Sequence, residues 1–524
     1  MLFNTNETLD KIKQYAKSAV GPVIIINIIL SFVAVARDMA LASYLGTTVQ
    51  ADALLLAFFV PDMIGAGLLS VSIIASCVPV YSKVYVRDKQ LLSWYTTYTT
   101  LFITLFSIVV YLVGLVFSKS MIGYLGNGFT NETRMLCLDL FRIILPIIML
   151  WSFAAAGNSL LQAHQFFKLS AFVPVVNNSV YLLTVLIIPF LHIPVNEGVY
   201  TISHFIVVAA FCMSILTWGG LIRNKIKAFQ FPTIRGFLDN RIGISEGLRQ
   251  VLHTFIPYIL MLFFAQGVLF NERYLATHLG VGAVAGLNYA YRLAQFPIWV
   301  FVAAVGMVIL PSMSRSTGLG KIKEFKATFT NAFWLILIIS LPLSIILHIL
   351  RVPIVSILLQ RGAFDNNSLL ITSGILAGYS LAVVGLAAEY ICHRVCLAMG
   401  KMVLPLITTI ITTMISITVN FLLIKKLGLS GLGYGLAVGV TLNAGILVLI
   451  LKKILGFSFK NSYGKLIRVL GANLAVLIIA LICNSIWSVW PQDSGFLLRL
   501  LYAVFVVVFT GMGYIGSLRY FKII

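Results

Sequence analysis

The sequence predicts an all-α integral membrane protein with 14 transmembrane helices: two six-helix lobes in a parallel pseudo-repeat, plus two C-terminal helices. Three observations predict it. Of 524 residues, 60% are hydrophobic and only 10% charged, with a mean hydropathy of +1.01, well outside the composition of water-soluble domains. Apolar runs of about 20 residues, the length a helix needs to cross hydrocarbon, recur along the whole chain. Lysine and arginine gather in alternate connecting segments, 26 on one side against 7 on the other.

The expected spans are 19–45, 53–80, 94–117, 136–162, 169–191, 198–221, 248–271, 283–313, 328–350, 368–392, 402–424, 430–451, 466–489 and 496–518. Residues 1–18 are polar and carry Lys11, Lys13 and Lys17. The apolar stretch behind them is too long for a signal-peptide core and lacks a small-residue cleavage site, so the first span is expected to remain as an anchor. An even number of spans puts both termini on one side, and the basic loops make that side cytoplasmic. Topology thus absorbs most of the formal charge of +21, and a nucleic-acid partner loses its motive. Cys77, Cys137, Cys212, Cys392, Cys396 and Cys483 lie in or beside apolar runs, without the spacing of a disulfide framework.

An internal duplication can be read directly. Leu41-Ala-Ser-Tyr-Leu-Gly46 returns as Leu275-Ala-Thr-His-Leu-Gly280, and Pro79-Val-Tyr-Ser82-Lys83 as Pro311-Ser-Met-Ser314-Arg315. The two offsets agree within an ordinary insertion and span six helices, so the copies enter the membrane in the same sense. The expected division is an N-terminal lobe, 1–221; a basic cytoplasmic linker, 222–247; a C-terminal lobe, 248–455; and the last two helices within 456–524. Lobes related in this way are expected to rock against one another.

Ionisable side chains at membrane depth cost several kcal/mol unless they meet a partner or a cavity, so they are the first functional candidates. Arg37 and Asp38 fall in span one, Asp62 in span two, Asp139 and Arg142 in span four, Arg292 in span eight and Glu389 in span ten; Asp52 and Arg273 sit at membrane edges. Arg37 and Arg292 lie in the outer half, one in each lobe. A pair of guanidinium groups so placed suits an anionic cargo, because the planar fork makes two-point contacts with phosphate oxygens. Asp38 follows Arg37 directly and points about 100° away around the helix, which is expected to weaken their pairing. Asp139 and Arg142 share a face and are expected either to pair or to line a cavity. Asp62, Arg142 and Glu389, the last near Arg394, are the candidate gate or coupling residues.

Other patterns read as structural. Gly431, Gly435 and Gly439 at four-residue spacing imply close helix packing. Cys392, His393 and Cys396 lack a second ligand pair, so no metal site is expected. No G-x-x-x-x-G-K-[ST] motif exists, so the chain is not expected to hydrolyse nucleotide. Lys119 and Arg499 read as interfacial snorkellers, and Trp487 and Trp490 as belt residues.

Several stretches together resemble a known family. Ala36-Arg37-Asp38, the following Gly46 and Asp52 with Ala53, Phe58 and Pro61, then Asn288-Tyr-Ala-Tyr-Arg292-Leu with Pro297, Leu310-Pro-Ser-Met-Ser314-Arg315, and Gln360-Arg-Gly-Ala-Phe-Asp365 are similar to the MurJ (MviN) lipid II flippases, within the multidrug/oligosaccharidyl-lipid/polysaccharide transporter superfamily. The resemblance implies a flippase that carries an undecaprenyl-diphosphate-linked peptidoglycan precursor across the bacterial cytoplasmic membrane by alternating access. It implies a substrate site drawn from Arg37, Asp38, Asp52, Arg273 and Arg292, and a lipid-tail groove on the last two helices. It also implies membrane lipids and cell-wall synthases as partners, no covalent chemistry, and no cofactor beyond a coupling cation. Where the family usually carries a further arginine, this chain has Ser31, and Gly65 stands where basic residues usually follow the helix-two proline. The segment Gly400-Lys-Met-Val-Leu-Pro405 also departs from the family pattern. The alternatives are a flippase for another lipid-linked polysaccharide unit and a cation-coupled multidrug exporter, which would use Asp38, Asp52 and Asp62.

Overall fold

The computed structural model describes residues 20–87, 89–226, 234–302, 305–306, 313, 321–456, 463–489, 496–521 and 523. Every regular element among them is helical. Among the described residues, thirteen helices are long and apolar enough to cross a membrane: Gly21–Leu45, Val49–Tyr85, Leu91–Val116, Asn131–Ala163, Phe167–Leu191, Val195–Arg223, Ser245–Ala276, Ile322–Ile349, Asn366–Ala398, Val403–Leu427, Ser430–Leu455, Gly464–Val489 and Leu501–Tyr520. The eighth expected span is described in part, as the helix Ala283–Pro297 continued by a widened turn at Ile298–Val302. Pro311 and the residues beside it lie outside the described residues.

The described chain forms two compact units. The first runs to Gly267 and takes in Arg273–Val284; the second comprises Val268–Glu272 and everything from Ala285 onward. All six cysteines are free thiols.

In the first unit, Thr48 caps the helix Val49–Asp62 by accepting the Ala51 N–H, the usual task of a threonine at that position. One turn in, the buried Asp52 accepts the backbone N–H of Gly282 at 2.6 Å. Gly282 has φ +86°, and a Cβ there would sit 2.6 Å from the Thr47 carbonyl oxygen, so the turn after the seventh span requires glycine. Thr277 strengthens the same junction, accepting the Gly128 N–H at 3.3 Å and donating to the Tyr274 carbonyl at 2.8 Å.

The duplication has conformational counterparts. Gly46 and Gly280, the last residues of the repeated hexapeptide, both take positive φ just beyond the helices that end at Leu45 and Ala276. A third correspondence is not visible in the residue strings. Pro61 is followed by a π-helical stretch, Met63–Ser70, and Pro297 by another, Ile298–Val302. Proline lacks an N–H and presses on the carbonyl one turn back, and a locally widened turn is one way for a helix to absorb that defect.

In the second unit, glycines let three helices approach backbone to backbone. A Cβ on Gly378 would lie 2.4 Å from the Tyr434 nitrogen; on Gly431, 2.8 Å from the Leu423 carbonyl; on Gly435, 3.0 Å from the Ser416 oxygen. Without a hydrophobic force between helices in lipid, such contact supplies the dispersion energy that holds them. The stretch Gln360–Asp365 is a turn. Arg361 donates to the carbonyls of Ile357 and Leu358, Gly362 takes φ +57°, Phe364 is buried against Tyr289, and Asp365 caps the helix Asn366–Ala398 through Ser368.

The last two helices pack on the helix Ile322–Ile349. Trp334 and Ile338 meet Val469, Ala472 and Leu518, and Tyr514 donates to the Ile338 carbonyl at 2.6 Å. Two interfacial expectations are corrected here. Trp487 is 6% exposed and stacks obliquely on Tyr502 at 4.8 Å, so it is a core residue; Trp490 lies outside the described residues. Arg499 donates to Ser356 and Gln360 at 3.4 and 3.2 Å, its five donors favouring nearby acceptors over a reach to headgroups. Lys119 is exposed as expected.

Three outcomes follow from these contacts. Gly378→Leu is expected to lower stability by about 1–3 kcal/mol, whereas Gly445→Leu, where nothing lies within 4 Å, should not; thermal unfolding in detergent compares them. Asp52→Ala leaves the Gly282 N–H unsatisfied and should cost about 1–3 kcal/mol in the same assay. The Ser368 hydrogen bonds hold the Asp365 carboxyl below its ordinary 3.8. A depressed folded value stabilises the fold fully above 3.8 and loses that contribution as pH falls through it. The stability gap between wild type and Asp365→Asn should therefore close on acidification below that range.

Candidate functional site

The polar centre of the first unit is built around Arg37, which is 7% exposed. Its Nε and Nη2 donate to Asp38 Oδ1 at 3.0 and 2.6 Å, and its Nη1 donates to Asn178 Oδ1 at 2.7 Å. The guanidinium carbon lies 5.0 Å from the centre of the Tyr181 ring, within cation–π range. The expectation that Arg37 and Asp38 would hardly pair is corrected. Helical geometry separates the two Cα–Cβ bonds, but the arginine stem is long enough to fold the guanidinium back over its neighbour.

The rest of the surround comes from the helix Phe167–Ile187. Asn178 donates its own amide to the Pro174 carbonyl at 3.0 Å, which turns its oxygen toward Arg37. Asn177 accepts from Trp151 Nε1 at 3.4 Å. Phe58 sets its edge against both Trp151 and Tyr181, with ring centres 6.3 Å apart in each case. Asp62 is half-buried where its helix enters the π-helical stretch. The two asparagines were missed in the sequence because they carry no charge. The available signal was an adjacent pair of amides within an apolar run.

The remaining candidates of this unit are dispersed. Asp52 holds Gly282, as described. Arg273 is 3% exposed with its guanidinium 4.6 Å from the Phe59 ring centre. Arg142 is exposed and donates to Ser118 Oγ at 3.1 Å instead of pairing with Asp139, which is also exposed.

Arg292 belongs to the second unit and is half-buried on the helix Ala283–Pro297. Beside it the Tyr291 ring meets that of Tyr379 at 5.4 Å, and the Tyr379 hydroxyl donates to Glu272, a fully buried acid. Glu272 escaped notice in the sequence because it closes an apolar run beside Arg273. Glu389 does not face Arg394, which turns onto the Tyr390 hydroxyl at 3.0 Å. Its carboxylate accepts from Asn443 Nδ2 at 2.6 Å and lies 3.5 Å from His393 Nε2. Among the described residues, no group of three or more His, Cys, Asp or Glu could hold a metal ion.

The profile of the family described as lipid II flippase MurJ matches residues 41–502. The chain is 25% identical over 479 residues to the probable lipid II flippase MurJ of Buchnera aphidicola, covering 89% of each. It is 23% identical over 501 residues to the lipid II flippase MurJ of Burkholderia cenocepacia, covering 93% of this chain and 94% of that one. Among solved structures, a lipid II flippase MurJ in an inward closed conformation aligns with a TM-score of 0.73 at 19% identity, over 94% of this chain and 99% of that one. An inward-facing MATE multidrug resistance transporter of the MOP superfamily aligns with a TM-score of 0.69 at 14% identity, over 83% and 98%. The fold is therefore shared across that superfamily, and the profile match, which runs from the end of the first span to the start of the last, makes this chain a member of the MurJ lipid II flippase family.

Proposed function

We propose that this chain flips lipid II, an undecaprenyl-diphosphate-linked peptidoglycan precursor, from the inner to the outer leaflet of the bacterial cytoplasmic membrane by alternating access, without covalent chemistry. Family membership supports the cargo class, and the donor count on Arg37 carries the reading. A guanidinium has five N–H groups; Asp38 and Asn178 engage three of them. One N–H remains on each terminal nitrogen, the arrangement that suits two oxygens of a diphosphate. The paired carboxylate lowers the cost of holding the cation at membrane depth, and Tyr181 and Asn178 fix its orientation. Arg292 is the corresponding cation of the second unit. Asp62, Arg142, Arg273 and Glu389 are assigned to gating, coupling or support.

The basic loops support cytoplasmic termini. The lobes within 1–221 and 248–455 are assigned to the rocking motion, the segment 222–247 to their link, and the last two helices to the lipid tail. Synthases that consume the flipped precursor are the expected class of protein partner. A cationic-drug exporter is less well supported, because two of the acids it would use have other tasks: Asp38 holds Arg37 and Asp52 holds Gly282.

Complementation tests the reading. In a bacterium depleted of its resident lipid II flippase, the wild-type gene should sustain growth and outer-leaflet precursor. Arg37→Lys keeps the charge but loses the fork, and Arg37→Ala with Asp38→Ala removes the pair without orphaning either charge. A lost charge-assisted contact is worth about 1.5–3 kcal/mol, so each change should cut flipping roughly tenfold or more at equal membrane abundance. Arg292→Ala should do the same. Undiminished growth of a strain carrying both arginine replacements would overturn the assignment, and rescue of capsule export alone would select the polysaccharide alternative.

A further inference from the structure

In the second unit the helices Asn366–Ala398, Val403–Leu427 and Ser430–Leu455 enclose a polar cluster that diphosphate binding does not use. Glu389 is its only carboxylate, and the carboxylate is 13% exposed. Its Oε1 accepts from Nδ2 of Asn443, which is 1% exposed. The same Nδ2 lies 3.2 Å from Thr409 Oγ1, so the amide is shared between the two neighbouring helices. Two buried atoms around the carboxylate have no hydrogen-bond partner: Asn443 Oδ1 and His393 Nε2. The imidazole nitrogen stands 3.5 Å from Oε1, one helical turn along, too far for a hydrogen bond of ordinary length.

A buried carboxylate held by one neutral amide is poorly compensated if ionised. Among the described residues, no basic group of the packed helices hydrogen-bonds or pairs with it. Arg394, five residues on, is turned onto Tyr390. The facing helix Val403–Leu427 presents buried Thr408, Thr409 and Thr412, and Ser430–Leu455 presents Asn443. On the helix Ile322–Ile349, His348 is bonded to Ala377 and Ser380, three turns away along the chain. Cys392 is the other ionisable neighbour of Glu389 on its own helix, and it is buried in apolar surroundings.

With the imidazole hydrogen on Nδ1, His393 Nε2 and Glu389 Oε1 are two acceptors face to face. One proton closes that contact, donated either from the carboxyl to Nε2 or from the imidazole to Oε1, while the Asn443 donor still holds the carboxyl oxygen. We propose that Glu389, with His393 and Asn443 as its hydrogen-bonding partners, is a proton-binding site of the second unit, taking one proton from water and returning it as the transporter cycles. A role in transport rests on the flippase reading, but the binding itself does not.

The test uses the full-length protein in lipid nanodiscs, without any lipid-linked cargo, followed by infrared difference spectroscopy across a pH series. The C=O stretch of a protonated carboxyl should appear on acidification in the wild type and be lost in Glu389→Gln. Its midpoint should move in His393→Asn, and its frequency in Asn443→Ala, which removes the donor. Comparable thermal unfolding of the Glu389→Gln protein shows that the band is lost without loss of fold. A band unchanged by Glu389→Gln, or one indifferent to both neighbours, overturns the proposal. Displacement of the titration by sodium but not by choline also overturns it, assigning the cluster to a metal cation instead. Failed complementation with an intact titration removes the transport reading and leaves the site; the converse removes the site alone.

Discussion

Hydrocarbon offers no hydrogen-bond partner, so a polar group carried to membrane depth is costly unless it finds one within the protein. Helices satisfy the backbone, and side chains follow the same demand. Ser152 and Thr184 bond back to the carbonyls of Ile148 and Val180, and Tyr502 and Tyr514 donate across to carbonyls of other helices. Where proline interrupts the backbone ladder, at Pro61 and again at Pro297, the next turn widens in both halves. The two prolines lie at a spacing close to that of the repeated hexapeptide, so the shared local conformation agrees with the duplication.

Arg37 meets the demand at its most severe. A lone guanidinium inside the bilayer is expensive, and a fully satisfied one has nothing left to bind with. Asp38 and Asn178 take three donors and leave two, so the group is compensated for insertion without being saturated. The pairing relies on Asn178 being turned by its bond to the Pro174 carbonyl, a detail of one helix that decides the electrostatics of another. Asp52 illustrates the opposite use of a buried charge: its carboxylate fastens a turn some 230 residues away in the chain, and that turn tolerates only glycine.

The spans were legible because a run of apolar residues has one stable form in lipid. The glycine seam was legible too, since four-residue spacing lines up on one helix face. Less legible were contacts that depend on side-chain reach. Arg37 and Asp38 diverge along the helix and pair all the same; Glu389 and Arg394 look like neighbours and face different partners. Trp487 and Arg499 carry the signature of an interface, but the first is buried in a cluster with Leu350, Cys483 and Tyr502, and the end of the helix Arg351–Leu359 supplies acceptors to the second. The stretch Gln360–Asp365 stood out as a motif, and its residues turn out to end one helix and cap the next.

By itself the sequence determined the membrane class, the order of the helices and the inventory of intramembrane charges, because these depend on composition and period along one dimension. Tertiary structure decided which charge meets which partner: that Arg37 is shared between Asp38 and Asn178, that Asp52 serves a distant turn, and that Glu389 joins His393 and Asn443. Such pairings are set by distances of a few ångströms between helices far apart in the chain. Uncharged amides and hydroxyls, silent in a hydropathy pattern, settle them by supplying the donors and acceptors that lipid cannot.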